Sequence, residues 1–515
     1  MKTTPTPAAR DPAAPRRVLG AATVVGDYTT LLLARLLSVI LSVASVALTT
    51  RILAPEGVGL VAYVTVLATL VFTVGSTWTS GVVSRYGREE FERTASLLNV
   101  TWERFIITAP LVAVTTVALV VLEAFGALSP GLSWLLIAIA CAYGVVLVLS
   151  DHLVYVLQAV GQVRASAFAV IVRQAAVVAG LLAVVATGVG RTPAAVAGIT
   201  AAAWFVVTPA LAARVWHVGV WPPRLDPKLR RRMLVFAIPM IGFTVSQYVV
   251  QTVDFAVIGW FRGTADVGVY AVAYQGYTVL QNVAAAAVPI LTPLFVSLRA
   301  AGREPLVGRF YARVVPQVTF AASAAVGVVV PFVPFLVPVV FGQDFGGASD
   351  PLVLLLGSTV LLFGANLLAP IIVLHEATRA VGWINLAAAG ANVVADLVLI
   401  GVFGVGIVGA SVGTLAATSC IAVGYDRLVA RRLGVAPRLR PIVFAPAAVG
   451  IAAGIFLPGA AALGGAVAAV AVAVAVAARA NLFAAEDAAL VAALDIPAPA
   501  KRLLTTVIER AARGW

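Results

Sequence analysis

The chain predicts an all-α polytopic membrane protein of about 14 transmembrane helices, arranged as two six-helix lobes in a parallel repeat plus two C-terminal helices. Three observations predict it. Apolar stretches long enough to cross a bilayer follow one another almost end to end. Hydrophobic residues make up 61% of the chain against 11% charged, with a mean hydropathy of +1.03, whereas charged residues are roughly a quarter of a soluble domain. The loops between the stretches alternate between crowded with basic residues and nearly empty of them.

Residues 1–20 are rich in Pro, Ala and Arg and read as a disordered cytoplasmic tail. The span near 29–50 is too long for a cleaved signal segment and lacks a convincing cleavage site. It carries Arg35, Ser38, Ser42, Ser45 and Thr49, whose spacing of three and four makes one polar stripe at about 3.6 residues per turn. The span near 58–82 repeats the rhythm with Thr65, Thr69, Thr73, Ser76 and Ser80. Small hydroxyl residues equally serve close helix packing. Packing does not require Arg35, which turns the first span toward a cavity wall. Spans near 105–123, 132–157, 165–187 and 193–215 complete a first lobe, 21–216. Asp151 and His152 lie near the cytoplasmic end of the fourth and Arg173 inside the fifth. Arg35 and Arg173 either snorkel to the inner headgroups or face a cavity, and Asp151 and Arg173 are placed to pair.

A basic connector, 217–232, reads as a cytoplasmic linker lying at the membrane interface. The second lobe, 233–432, echoes the first. Glu56-Gly-Val-Gly-Leu-Val-Ala62 opens the second span and Ala265-Asp-Val-Gly-Val-Tyr-Ala271 the eighth, with Gly59 and Gly268 in register. Six spans per copy leave both copies in one orientation, so two lobes related about the membrane normal enclose a central cavity. The span near 233–259 aligns Gln247, Gln251 and Asp254 on one face, and that near 267–297 aligns Tyr270, Tyr274, Tyr277 and Gln281. Such a face suits carbohydrate, because rings cover sugar C–H faces while phenols and amides bond hydroxyls. Tyr270, near the outer end, equally suits an interfacial belt.

Spans near 314–338, 351–374, 381–401 and 407–426 finish this lobe, with Asp396 and Asp254 in its outer half. Intramembrane ionisable residues cost ~2.5–3.5 kcal/mol each, which makes Asp254, Asp396, Asp151 and His152 candidates for a coupling ion. Two Ala/Gly/Val-rich spans, 441–458 and 460–478, occupy the segment 433–480, and 481–515 reads as a cytoplasmic tail.

Thirty of the 35 Lys+Arg fall on one side of this scheme, Arg104 among them; three, Arg51, Arg191 and Arg262, fall on the other. Basic loops resist translocation, so both termini are expected in the cytoplasm of a cell bearing this chain in its plasma (inner) membrane. The net charge of +13 follows from loops attracted to anionic headgroups and calls for no nucleic acid. Only three lysines exist, none in a phosphate-binding loop, so ATP-driven chemistry is excluded from this chain. Gly404-Val-Gly-Ile-Val-Gly409 has dinucleotide-binding spacing, but no strand precedes it and it reads as a helix-connecting turn. Cys141 and Cys420 fall inside spans as packing residues, and three histidines suggest no metal site. No cofactor or enzyme activity is expected.

Several stretches resemble the polysaccharide and O-antigen flippase family: Arg51-Ile-Leu-Ala-Pro-Glu-Gly-Val-Gly59, Asp254-Phe-Ala-Val-Ile-Gly259, Val267-Gly-Val-Tyr-Ala271 and Pro289-Ile-Leu-Thr-Pro293. Phe341-Gly-Gln-Asp-Phe345, the Asn385–Asn392 stretch and Phe403-Gly-Val-Gly-Ile-Val-Gly-Ala-Ser411 continue the resemblance, which covers roughly 25–435. Asp396 departs from it, since family members often carry Asn or another neutral residue there. The resemblance implies a flippase moving a polyprenyl-pyrophosphate-linked oligosaccharide to the external leaflet by alternating access, for cell-surface polysaccharide synthesis. Its partners would be that lipid-linked glycan, membrane lipids, and a polysaccharide polymerase or glycosyltransferases of the same pathway. Arg35 and Arg173 would receive the pyrophosphate. Ser38, Ser42, Gln247, Gln251, Tyr274, Tyr277 and Gln281 would solvate the glycan. An ion-coupled drug or metabolite antiporter, or a lipid II flippase, of the same superfamily is the alternative.

The topology is testable with single cysteines in a background lacking Cys141 and Cys420. Cysteines at Gly263 and Ser349 are expected to react with an impermeant maleimide in intact cells, and one at Ala436 only after lysis. Labelling at Ala436 in intact cells would contradict the scheme.

Overall fold

Proline in the first turn, small polar caps and left-handed glycines set the helix ends. Pro55 opens the second helix; Ser133 and Thr192 cap the fourth and sixth by accepting from the N–H of Leu136 and Ala195. Gly188 (φ 70°) and Gly434 (φ 65°) stop the fifth and twelfth in a conformation that costs glycine nothing. A computed structural model describes residues 21–479 except 129–130, 286–287, 458 and 460, together with Leu482. The expected tails, 1–20 and 481–515, lie outside the described residues apart from Leu482, as does the side chain of Arg35.

The first lobe contains α1 (Ala21–Ile52), α2 (Pro55–Gly75), α3 (Leu98–Ala124), α4 (Trp134–Ala159), α5 (Val163–Thr187) and α6 (Pro193–Val215). A linker helix, Pro227–Ala237, leads to α7 (Met240–Phe261), α8 (Thr264–Ala285), α9 (Val315–Val329), α10 (Ser349–Leu374), α11 (Thr378–Asp396) and α12 (Ile407–Leu433). Two further helices, α13 (Ala445–Phe456) and α14 (Ala461–Arg479), close the described chain. Among the described residues each expected span falls largely on helix, that near 267–297 on α8 and on a further helix, Val288–Ala300. Eleven helices among the described residues are long and apolar enough to cross a membrane. The other three expected spans are the described part of α1 and α13, which are shorter, and α8, which is rich in Tyr, Gln, Asn and Thr.

Helix pairing repeats at an offset of six: α1–α5, α2–α4, α4–α6 and α5–α6 in one lobe recur as α7–α11, α8–α10, α10–α12 and α11–α12 in the other. At the end away from the basic loops, residues of both lobes share one hydrophobic core, from Val58 and Leu136 to Val267, Phe341 and Leu352. On the basic side the core divides in two. One part gathers Trp78, Val100, Leu157 and Val215 with Met233 and Ala237 of the linker helix; the other gathers Tyr311, Leu368, Ile371 and Tyr425. The lobes are therefore joined at that end and separately packed at the basic end.

Their junction is a glycine contact. A Cβ on Gly268 would lie 1.8 Å from the Pro55 carbonyl oxygen, and one on Gly59 2.0 Å from that of Thr264, so α2 and α8 meet backbone to backbone. Beside it, the Tyr63 hydroxyl fills the space that a side chain at Gly259 would need. A similar contact seats α13 on α9, where a Cβ on Gly450 would lie 2.2 Å from the Gly327 carbonyl oxygen.

The linker is ordered rather than a plain surface strap. Glu103 of α3, fully buried, pairs with Arg230 at 2.7 Å and accepts the Asp226 N–H. The Trp102 indole donates to the Val220 carbonyl at 2.8 Å, and the Tyr86 ring packs edge-on against Phe236. The linker helix runs past the expected 232/233 boundary and packs on the first lobe, leaving the two-residue turn Ile238-Pro239 before α7. Two positions differ from expectation. Arg104, expected in a basic loop, is 1% exposed inside α3, because that helix begins at Leu98. Ser349 is buried, so Gly263 carries the outer arm of the labelling test.

Gly268→Val is expected to force α2 and α8 apart. A cysteine at Thr65 on the cavity wall should then react with external impermeant maleimide about tenfold faster than in the Gly268 parent, as a shift toward the outward-open state requires. An unchanged labelling rate would show that the contact does not hold the outer side shut.

Candidate functional site

The stripes of α1 and α2 face the second lobe across two adjoining chambers of about 420 and 380 Å³. The outer one is lined by Ser45, Thr49, Thr65, Thr69, Tyr143, Gln251, Tyr274, Thr278 and Gln281 over an apolar base of valines. The second reaches the basic ends of α4 and α5 at Gln158 and Ser166, with Ser38 and Asn282 on its wall. Ser42, Arg173, Gln174 and Gln275 border both. Gln275 Nε2 donates to Ser42 Oγ at 2.7 Å across the lobes, and Gln174 Nε2 to Ser45 Oγ at 3.0 Å.

Arg173 is the single cation among the described residues of both walls, and no carboxylate lines either. Its guanidinium carbon lies 4.1 Å from the Trp204 ring centroid, a cation–π stack that fixes the plane of the group. Stacking uses the face and leaves the N–H edge, the part that grips phosphate oxygens in pairs. The expected partnership of Arg173 with Asp151 is not formed, because Asp151 is held by Arg104.

That second cluster lies inside the first lobe. Arg104 donates to Asp151 Oδ2 at 3.1 Å, to Ser76 Oγ at 2.7 Å, to Thr79 Oγ1 at 2.9 Å and to the Ser76 carbonyl. Its remaining amino group faces His152 Nδ1 at 3.1 Å, and His152 Nε2 faces Thr101 Oγ1 at 3.2 Å. Arginine can only donate, so Nδ1 accepts and Nε2 carries the proton toward Thr101, which makes the ring neutral. Asp151 and His152 thus line neither chamber, and the cluster ties α3 and α4 to the segment that follows α2. Breaking such a buried pair costs about 3–5 kcal/mol. The α2 stripe divides accordingly: Thr65 and Thr69 face the cavity, whereas Ser76 and Ser80 bond Asp151.

A third cluster lies inside the second lobe. Asp254 of α7, fully buried, accepts from Thr414 Oγ1 of α12 at 2.8 Å, from Asn392 Nδ2 of α11 at 3.0 Å and from the Tyr270 hydroxyl of α8. The same Asn392 amide donates to Asp396 Oδ2 at 3.3 Å, so one group bridges both carboxyls. Asn392 Oδ1, Asp396 Oδ1 and Ser411 Oγ are buried with no hydrogen-bond partner among the described residues. Buried polar atoms are rarely left so. An oxygen-only set of this kind suits a proton or a small hard cation.

Two expected cavity residues lie elsewhere. Gln247 donates to Asn385 Oδ1 at 2.6 Å, which in turn bonds the Tyr425 hydroxyl inside the second lobe. Tyr277 is 2% exposed and packs its ring at 5.3 Å on Tyr274. Tyr270 is no belt residue: it is fully buried on Asp254. Sequence reasoning missed Arg104, Gln174, Gln275, Asn392 and Thr414. Asn392 had a visible signal, standing one helical turn before Asp396. Gln275 had none, since it lies off the Tyr270–Tyr274–Tyr277–Gln281 face.

No curated protein matches the chain in sequence. Among solved structures, it is similar to the lipid II flippase MurJ in an inward closed conformation, with a TM-score of 0.64 at 10% identity over 88% of this chain and 97% of that one. It is also similar to a multidrug resistance MATE family transporter of the MOP superfamily in two states. The inward-facing form gives a TM-score of 0.55 at 13% identity, over 79% of this chain and 98% of that one. The outward-facing form gives 0.53 at 15% identity, over 79% and 95%. These likenesses establish a shared polytopic fold. In sequence, residues 24–299 match the polysaccharide biosynthesis protein family, and the chain belongs to that family.

Proposed function

We propose that this protein is a flippase that carries a polyprenyl-pyrophosphate-linked oligosaccharide from the cytoplasmic to the external leaflet for cell-surface polysaccharide synthesis. One observation carries the reading: the inter-lobe cavity is walled by hydroxyls, amides and Tyr274, with Arg173 and no carboxylate among its described lining residues. A sugar chain offers hydroxyls and C–H faces to such a wall, and a pyrophosphate offers paired oxygens to a stacked guanidinium. Arg35, one turn before Ser38 on α1, remains the second candidate for that grip by its position in the sequence. The glycan would enter from the basic side, where the lobes pack separately, and leave when the α2–α8 contact opens and the inner ends close. The polyprenyl tail would stay in lipid, along α13 and α14.

Asp254 and Asp396 are the proposed coupling site. Their cluster joins α7, α8, α11 and α12, and α8 also places Tyr274, Gln275 and Gln281 in the cavity. Loading a proton or cation among these oxygens would reset the packing of α8, and with it the cavity wall. A cationic-drug antiporter is the weaker reading, because it would place carboxylates on the cavity wall, and here both are enclosed in the second lobe. A lipid II flippase would present the same pyrophosphate to Arg173; membership of the polysaccharide family favours the surface glycan.

Arg173→Ala is expected to lower glycan export about tenfold or more at near wild-type abundance, while Arg173→Lys restores only part, lacking the planar fork. Export by Arg173→Ala at the wild-type rate would remove Arg173 from the substrate site. Asp254→Asn keeps shape and bonding but not charge. In proteoliposomes bearing a labelled lipid-linked glycan, this variant should lose the response to an imposed ion gradient. A wild-type response would shift the coupling role to Asp396.

A further inference from the structure

At the basic end of the second lobe, where α9 and α13 begin and α14 ends, a cavity of about 450 Å³ is lined by Arg313, Arg438 and Arg440. None of the three has a carboxylate within ion-pair distance among the described residues. Arg438 Nε is buried there with no hydrogen-bond partner among the described residues, although guanidinium N–H groups are costly to leave unmet. The acid that holds this loop, Asp426, is already engaged. It accepts the Tyr311 hydroxyl at 2.6 Å and the backbone N–H groups of Arg438 and Leu439 at 3.1 Å, which fixes the arginine loop without neutralising its side chains. The lining residue Leu482 is fixed where its carbonyl accepts from Gln317 Nε2 at 2.8 Å.

We propose that Arg313, Arg438 and Arg440 form a binding site for the phosphate of an anionic membrane lipid. Three arginines lining one hollow match the charge of a phosphodiester, and a guanidinium edge suits its paired oxygens. The floor of the hollow points to a lipid source. Pro316, Ile442, Val443 and Leu482 make it apolar, and Val443 and Leu482 continue into the cluster of Phe320, Val476 and Ala477 between α9 and α14. A headgroup in the hollow would therefore leave its acyl chains along apolar helix. Basic pockets between helices at the cytoplasmic boundary take anionic headgroups on these terms. The site lies apart from the inter-lobe cavity and shares no residue with it. The lipid would bridge α9, α13 and α14, fastening the last two helices to the second lobe.

The test uses the purified full-length chain in neutral detergent and follows its thermal midpoint on addition of phosphatidylglycerol, phosphatidylcholine or inorganic phosphate. Phosphatidylglycerol should raise the midpoint, phosphatidylcholine should not, and Arg438→Gln/Arg440→Gln should need about tenfold more phosphatidylglycerol for half the rise. Arg427→Gln, an exposed arginine at the same end but outside the cavity, should respond as the parent does. If the double variant does not fold, Arg313→Gln at the exposed rim carries the same comparison. An equal rise in the variants and the parent, or no rise in the parent, would overturn the proposal. An equal rise with inorganic phosphate alone would overturn the lipid assignment in favour of a soluble phosphate.

Discussion

The contact between Gly59 and Gly268 is the constraint on which the arrangement rests. These two glycines hold equivalent places in the repeat, so the pseudo-symmetry axis passes between residues that touch. Only hydrogen atoms fit where α2 and α8 cross, and the backbones approach until any side chain would collide with a carbonyl. Every other inter-lobe feature follows from that closeness. The core at this end fuses because the helices that carry it are held together, the cores at the basic end stay separate because nothing comparable joins them, and the polar chambers lie between.

Charge is sorted by depth and by lobe. The described cavity wall holds one arginine; the first lobe hides an Arg–Asp pair braced by a neutral histidine; the second hides two carboxyls bridged by an asparagine. The two buried clusters differ in what they leave open. Arg104 spends its donors on acceptors that are all present, which describes a brace. The Asp254 cluster retains buried oxygens with no hydrogen-bond partner among the described residues, and the proposed coupling role rests on them. Two clusters of similar burial therefore differ in how fully their polar atoms are met.

Most of the fold was legible because a bilayer admits few solutions. Hydrophobic length locates helices, because a backbone crossing lipid must meet its own hydrogen bonds. The Ser and Thr spacing of α1 named a cavity wall that Ser38, Ser42, Ser45 and Thr49 do form. Periodicity sets which residues share a helical face, but not which neighbour that face meets. Gln247 shares a stripe with Gln251 yet meets Asn385, and Tyr277 shares one with Tyr274 yet meets the core. Arg104 was misplaced for a different reason. A helix that begins with Leu-Asn-Val-Thr-Trp-Glu-Arg has a polar first turn and a half, which hydropathy assigns to the loop before it.

The linker helix carries one more consequence. Charge marks it as a tether between halves, but its contacts through Arg230, Met233 and Ala237 all go to the first lobe. A rigid rod fastened to one body and joined to the other by two residues is a lever, with its pivot at Ile238-Pro239. A pull on the basic face of the linker is borne by the first lobe and reaches α7 as torque about that pivot. The same geometry lets rotation of α7 proceed without unwinding the linker helix.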